Sequence, residues 1–167
     1  MMEPMRSGEN NYAFIDSQNV YLGVQRLGWK LDFKKFRIYL REKYGITKAY
    51  LFIGYLPENQ KRYNALLSFG YDIIFKTVQR NADGIIKGNC DAELVLQAMI
   101  DYANYDKALI TTGDGDFTCL VKHLDKNDKF ECLLAPSKHG CARLLREAAK
   151  GKWLSMETLR NRLAHQK

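Results

Sequence analysis

Four aspartates, at three places in the chain, are the residues best suited to do chemistry together. Asp16 ends a short apolar stretch, Asp91 follows a glycine-containing loop, and Asp114 and Asp116 lie in the run Thr-Thr-Gly-Asp-Gly-Asp-Phe. Carboxylates that lie close together repel one another and raise each other's pKa values. A hard divalent cation with oxygen ligands, such as Mg²⁺, relieves that repulsion. If the fold gathers the acids, they could hold one ion, or two ions about 3.5–4 Å apart as in phosphodiester cleavage.

Short apolar runs alternate with amphipathic runs along the chain, which predicts alternating strands and helices. We expect strands at 12–16, 49–55, 71–78, 107–112 and 130–135, and helices at 17–27, 33–44, 57–69, 91–105, 117–124, 141–149 and 156–163. This order predicts an α/β fold with right-handed crossovers. The expected architecture is a three-layer α/β/α sandwich, Rossmann-like, around a central, mostly parallel sheet of about five strands.

The predicted strands place the acids at one edge of the sheet. Ligands of such sheets bind outside the carboxyl ends of the strands, where Asp16 and the pair Asp114 and Asp116 are expected. Asp91 opens the helix after the loop at 79–90. Asn19 lies one short turn past Asp16, where its amide could orient a metal-bound water or fix the Asp16 carboxylate. Helix capping by Asp16 and a simple turn at 114–116 are the alternatives, but they do not explain why the acids gather.

Three motifs, in this order, resemble the NYN domain family of the PIN-like nuclease superfamily. They are Phe14-Ile-Asp16-Ser-Gln-Asn19, then Lys87-Gly88 with Asp91-Ala-Glu-Leu94, and finally Thr112-Gly-Asp114-Gly-Asp116-Phe117. The resemblance spans about residues 11–160. Within the family, the chain is most similar to the bacterial stand-alone group described as LabA-like. It implies a PIN-like fold, a Mg²⁺ or Mn²⁺ site and a ribonuclease that hydrolyses RNA phosphodiester bonds with a metal-activated water.

Carried over by position, the resemblance implies a catalytic set and a metal-binding set. The metal-binding residues would be Asp16, Asp91, Asp114 and Asp116, and the catalytic set adds Asn19. One position departs from the family pattern, because Gln97 stands where the family commonly has an aspartate. An amide is a weaker metal ligand than a carboxylate. An RNA-binding regulatory module with a weakened or vestigial metal site is therefore the alternative to an active nuclease.

The charge balance favours a nucleic-acid partner. The 167 residues include 26 Lys and Arg against 19 Asp and Glu, a formal net charge of +7. A basic surface suits phosphate-bearing partners such as RNA. A lipid surface gives no reason to gather four carboxylates, and the longest apolar run, 49–56, falls short of the roughly 20 residues of a spanning helix. The RNA-binding candidates flank the carboxyl edge of the sheet: Lys76, Arg80, Lys87, Lys138, Arg143 and Arg146.

The sequence also allows predictions about domain bounds, oligomeric state, cellular compartment and alternative sites. Residues 1–10 are expected to form a flexible N-terminus and residues 11–165 a single domain, with a homodimer as one option. The four cysteines include no Cys-x-x-Cys pair, which is typical of reduced thiols in the cytoplasm. The alternative is a zinc site from Cys119, His123, His139 and Cys141, whose spacings match no common structural zinc pattern. A small-molecule phosphatase or nucleotide-binding regulator is a further alternative, although the chain has neither G-x-G-x-x-G nor a P-loop.

Overall fold

Strands and helices alternate along the chain in the computed structural model, which describes residues 8–84, 86, 87 and 90–166. The strands are β1 (Asn11–Asp16), β2 (Ile46–Tyr55), β3 (Asp72–Thr77), β4 (Gln79–Arg80), β5 (Ile86–Lys87), β6 (Ala108–Thr111), β7 (Phe130–Ala135) and β8 (Trp153–Ser155). The helices are α1 (Ser17–Arg26), α2 (Phe33–Tyr44), α3 (Gln60–Ser68), α4 (Asp91–Ile100), α5 (Thr118–Lys126), α6 (Arg143–Ala148) and α7 (Arg160–Leu163).

Six of these strands form one parallel sheet in the order β3-β2-β1-β6-β7-β8, while β4 and β5 pair separately as an antiparallel ribbon. The predicted α/β architecture is confirmed. The sheet has one strand more than expected, because β8 contains only three residues and shows no hydrophobic period.

Alternate residues of each strand face opposite layers of helices. In β1, Ala13 and Ile15 pack in a core with α1 and α2, whereas Phe14 packs in a second core with α4, α5 and α6. Each of these three side chains is completely buried. A strand buried on both faces reads as a continuous apolar run, which is why the apolar runs in the sequence located the central strands.

Local signals in the sequence set the ends of several helices. The Asp32 carboxylate accepts a hydrogen bond from the Lys35 backbone N–H at 3.0 Å and caps α2. Gly45 ends that helix in the left-handed region, with φ of 63°. Helix α4 ends at Ile100 rather than at 105, and the helix expected at 156–163 is a 3₁₀ turn (Met156–Leu159) followed by α7.

The strand order reverses between β1 and β6. From β1 the chain builds outward through β2 and β3, and from β6 it builds in the other direction through β7 and β8. The two central strands pair in register, with Phe14 beside Ile110 and Ile15 beside Thr111. Ligands of open α/β sheets bind at the carboxyl side of such a switch point. The fold therefore offers a binding position at the ends of β1 and β6.

The predicted N-terminal segment and the second motif lie partly outside the residues that the structure describes. Residues 1–7 of the predicted N-terminal segment lie outside the described residues, and so do the side chain of Lys87 and all of Gly88. Among the described residues, no helix has the length and apolar character needed to span a bilayer.

Candidate metal centre

Three carboxylates converge at the carboxyl edge of the sheet. One oxygen each from Asp91, Asp114 and Asp116 lies within 4.8 Å of the other two. Asp91 is the first residue of α4, while Asp114 and Asp116 belong to the turn that follows β6. The carboxylate of Asp114 also accepts a hydrogen bond at 2.9 Å from the backbone N–H of Asp116, which holds this turn closed. We call these three residues the acidic cluster.

Asp16 lies beside the acidic cluster at the end of β1. Burial is the main reason why the pKa of Asp16 is raised to about 6, and the charges of Asp91 and Asp114 raise it further. Two hydrogen bonds to the carboxylate act in the opposite direction. Its donors are the Thr112 hydroxyl, at 3.0 Å, and the Asn19 backbone N–H, at 3.4 Å. Asp16 thus caps α1 and also lies near the other acids. Helix capping and a place in the site are therefore compatible roles for this residue.

Thr112 links the end of β1 to the acidic turn. Its hydroxyl donates to Asp16 and accepts a hydrogen bond at 3.2 Å from the backbone N–H of Asp114. The residue is fully buried. Thr112 begins the third motif, but its role could not be predicted from the motif. Its position directly before Gly113, at the end of a buried strand, was the available signal.

Asn19 acts on the turn rather than on the Asp16 carboxylate. Its side-chain Oδ1 accepts a hydrogen bond at 2.9 Å from the backbone N–H of Gly113. The Asn19 side chain therefore ties α1 to the loop after β6, and only its backbone N–H reaches Asp16. The idea that the amide itself fixes the carboxylate is replaced by this geometry.

Close packing between two loops positions the turn that carries Asp114. A Cβ added to Gly113 would lie 2.0 Å from the carbonyl oxygen of Gly140, in the loop between β7 and α6. The backbone N–H of Ala142, in the same loop, donates to the Gly113 carbonyl at 2.9 Å. Only glycine fits at position 113, because the opposing atom belongs to the backbone and cannot move aside cheaply.

The Asp91 carboxylate is only partly compensated by the protein around it. Its Oδ2 is buried and has no hydrogen-bond partner among the described residues. Burial raises the pKa of Asp91, the charges of Asp114 and Asp116 raise it further, and Lys76 opposes them. The Lys76 ammonium, from β3, is itself 3.5 Å from the carboxylate of Glu93, which lies two residues after Asp91 in α4. A buried, unpaired carboxylate oxygen is costly unless something positively charged binds it.

Gln97 lies away from the acidic cluster along α4. It comes six positions after Asp91, which corresponds to a rise of about 9 Å in an α-helix. Its amide nitrogen donates at 2.9 Å to Asp101, which also accepts from the Tyr50 hydroxyl. The Gln97 side chain therefore belongs to a hydrogen-bonded network farther down the helix.

The predicted RNA-binding residues differ in their contacts within the protein. Arg80 pairs with Glu58, and Arg143 lies 3.4 Å from Glu147 on the same helix. Arg146 stacks its guanidinium over Trp153 at 5.6 Å, and its buried Nε has no hydrogen-bond partner among the described residues. Lys138 is exposed in the loop after β7.

The residues considered for zinc do not gather. In the described part of the chain, the acidic cluster is the one group of three or more side chains of metal-binding type that converges. Cys90, Cys119, Cys132 and Cys141 are free thiols. The His123 ring packs against the Tyr102 ring, with the ring centroids 5.8 Å apart.

Comparisons with known proteins agree with this fold. The family model described as NYN domain matches residues 12–157, which include all four aspartates. The chain is 29% identical over 121 residues to the low amplitude and bright protein LabA of Synechococcus elongatus. That match covers 66% of this chain and 65% of the relative, so the chain spans somewhat less than two thirds of the relative's length.

A solved structure shows the same fold. The crystal structure of a protein of unknown function from Vibrio parahaemolyticus superimposes with a TM-score of 0.79. It covers 96% of this chain and 100% of its own, at 19% sequence identity.

Proposed function

The chain belongs to the NYN domain family, a family of PIN-like nucleases, and from this premise we propose that it is a metal-dependent ribonuclease. The observation that carries the proposal is the convergence of Asp91, Asp114 and Asp116 at the switch point of the sheet. Three acids at one point cost free energy in an empty site. Binding of a divalent cation offsets that cost.

The residues present fit a hard divalent cation. The acidic cluster supplies oxygen donors alone, and the buried Oδ2 of Asp91 lacks any partner in the described part of the chain. Oxygen-only donor sets suit Mg²⁺ and Mn²⁺ rather than softer ions. In this proposal the acidic cluster holds the ion, and Asp16 holds either a second ion or a water molecule in its shell. The bound ion would polarise the scissile phosphate and lower the pKa of a coordinated water.

The chain's own residues then orient the substrate and keep the acids ionised. Thr112 and the Asn19 backbone N–H stabilise the carboxylate of Asp16 against its burial. The amide nitrogen of Asn19 makes no hydrogen bond to any residue described, so it is available to donate to a phosphate oxygen. We propose that Lys76, Arg80, Lys87, Lys138, Arg143 and Arg146 contact the RNA backbone, where phosphate neutralisation drives binding.

Purified protein tests this proposal directly. Single-stranded and hairpin RNAs are incubated with the metal-free protein and with added Mn²⁺ or Mg²⁺. We expect cleavage only with metal, and its loss in Asp16→Asn and Asp114→Asn. Equal activity of the wild type and the double variant would refute a role for these acids. Lys61→Gln, on the exposed side of α3, is a control for unrelated surface changes.

A second candidate function follows from the neutral side chain at position 97. If the family's aspartate at that position is needed for turnover, the protein would be an RNA-binding regulatory module. It would then bind RNA with strong salt dependence and without cleavage. The same assay separates the two functions, since metal-dependent cleavage by pure protein rejects the second.

Free cysteines fit a reducing compartment, so we place this activity in the cytoplasm. We also propose that residues 11–165 act as one domain. A homodimer is the oligomeric state to test first, by light scattering.

A further inference from the structure

A cleft of about 160 Å³ opens at the carboxyl edge of the sheet, on the other side of Asp16 from the acidic cluster. The first turn of α1, the end of β2 and the start of α3 form its walls. Its residue Ser17 directly follows Asp16, and Asp16 pairs in register with Phe52, just before the cleft residues Ile53 and Gly54. Adjacent strands are about 4.8 Å apart, so the cleft begins immediately beside Asp16.

An aromatic ring and a guanidinium form one side of this cleft. The Arg62 guanidinium lies 4.7 Å from the ring centroid of Tyr21 and 5.9 Å from that of Phe33. Within the part of the chain that the structure describes, no carboxylate lies within salt-bridge distance of Arg62. Its charge is therefore free to act on a ligand. Stacked rings and guanidinium planes are the surfaces on which proteins hold unpaired bases.

Two amides at the cleft are free to read the edge of a base. Gln18 and Asn59 both line it, and neither side-chain amide makes a hydrogen bond to another described residue. An amide offers a donor and an acceptor together, which is the pattern on the Watson–Crick edge of a nucleobase. The Tyr63 hydroxyl, by contrast, is occupied, since it accepts from the Leu56 backbone N–H at 3.0 Å.

The size of the cleft limits what it can hold. A protein cavity of about 150 Å³ takes up one benzene molecule, so a cleft of this volume has room for a single aromatic ring. A nucleic-acid duplex presents no unstacked ring to such a cleft. The cleft thus suits one splayed base of a single strand, and a pyrimidine fits it better than a purine.

We propose that this cleft binds one pyrimidine base of single-stranded RNA and so places a neighbouring phosphate at the acidic cluster. The base stacks on the Arg62 guanidinium, whose other side lies against the Tyr21 ring at 4.7 Å, and Gln18 and Asn59 contact its polar edge. This inference rests on the proposed ribonuclease function, because it supplies that site with a substrate class. It goes further by assigning a base preference, and three of the residues that would set it, Tyr21, Asn59 and Arg62, lie outside the three motifs.

Binding of short RNAs tests the base pocket separately from cleavage. Oligouridylate, oligoadenylate and an abasic ribose-phosphate strand, each of the same length, are titrated by fluorescence anisotropy against Asp114→Asn protein with Mg²⁺. We expect oligouridylate to bind best and Arg62→Gln to weaken that binding by roughly tenfold, the scale of one lost base stack. Lys61→Gln is the matched control, because it removes the same charge from the neighbouring exposed position outside the cleft.

The two variants together decide the outcome. If Arg62→Gln removes the preference for oligouridylate while Lys61→Gln retains it, the pocket is supported. If both variants weaken all three strands equally, or if the Asp114→Asn protein without a cleft substitution binds all three equally, the pocket is refuted. Cleavage by the wild type, measured in parallel, shows whether the ribonuclease proposal stands when the pocket fails. Melting curves of both variants establish that each is folded.

Discussion

The hydroxyl of Thr112 donates a hydrogen bond at 3.0 Å to the carboxylate of Asp16, and this contact joins residues 96 positions apart in the chain. It connects the ends of the two central strands, β1 and β6, where the strand order of the sheet reverses. The same hydroxyl accepts from the backbone N–H of Asp114. One buried side chain thereby fixes Asp16 relative to the acidic turn.

Replacing Thr112 by valine tests this linkage. Thr112→Val keeps the shape but removes both hydrogen bonds, which should cost about 1–3 kcal/mol in the free energy of unfolding. Since the Thr112 bond lowers the pKa of Asp16, the acid limb of the cleavage pH profile should move to higher pH. Urea unfolding and the pH profile measure the two effects. Thr112→Ser retains a hydroxyl and should restore the profile, so identical profiles for the Ser and Val variants would contradict the assignment.

The raised pKa of Asp16 predicts how the stability of the metal-free protein depends on pH. Its pKa is 3.8 in the reference state and about 6 in the folded protein, so the folded state binds the proton more tightly. Protonation of Asp16 therefore stabilises the folded protein by roughly 2–3 kcal/mol in the free energy of unfolding. This contribution is fully present below about pH 4 and is lost as the pH rises through about 6.

Thermal melting of metal-free wild type and Asp16→Asn between pH 4 and 7.5 isolates this group. We expect the wild type to lose stability relative to the variant as the pH rises, and the difference to level off above about pH 7. The neighbouring charges, Asp91 and Asp114, are present in both proteins. If the difference in melting temperature between the two proteins stays constant across this pH range, the pKa of Asp16 is not raised in the folded protein.

Adding a methyl group at Gly113 should disturb the site through the backbone. The added Cβ would meet the Gly140 carbonyl oxygen at 2.0 Å, so the two loops must separate. We expect Gly113→Ala to lower the free energy of unfolding by about 1–3 kcal/mol. Because Asp114 follows directly, the same shift of the backbone should also reduce the affinity for a metal ion. Gly115→Ala is the stability control, since its Cβ would lie 3.1 Å from the Ala142 Cβ, a side-chain atom. Equal melting temperatures for the two variants would contradict the packing explanation.

The hydrogen bond from Gln97 to Asp101 predicts that Gln97 contributes to stability rather than to metal binding. Gln97→Ala should lower the free energy of unfolding by about 0.5–1.5 kcal/mol. Its cleavage rate should stay within about tenfold of wild type, a barrier change below roughly 1.4 kcal/mol. Asp91→Asn is the comparison, and a loss of activity in Gln97→Ala as large as in Asp91→Asn would place Gln97 in the site.

Much of the architecture could be predicted because local patterns carry it. Apolar runs located the strands of the parallel sheet, and Asp32 and Gly45 marked the ends of α2. The carboxyl edge followed from the strand order, and there the structure brings Asp91, Asp114 and Asp116 together. Strand β8 was missed, because three residues are too few to show a period.

The engagement of individual side chains could not be predicted, because it depends on pairing between distant segments. Nothing near Arg80 in the sequence indicates that it pairs with Glu58, and the stacking of Arg146 on Trp153 depends on how α6 meets β8. The turn of Asn19 toward Gly113 likewise required the relative positions of β1 and β6.

Anomalous scattering from a crystal soaked in Mn²⁺ shows whether Asp91, Asp114 and Asp116 bind a metal ion. We expect an anomalous peak whose ion is coordinated by Asp114 and by Asp91 or Asp116. A second peak at Asp16 would indicate two ions. If the acidic cluster binds no ion at saturating Mn²⁺, in a crystal that leaves the cluster open to solvent, it is not a metal site.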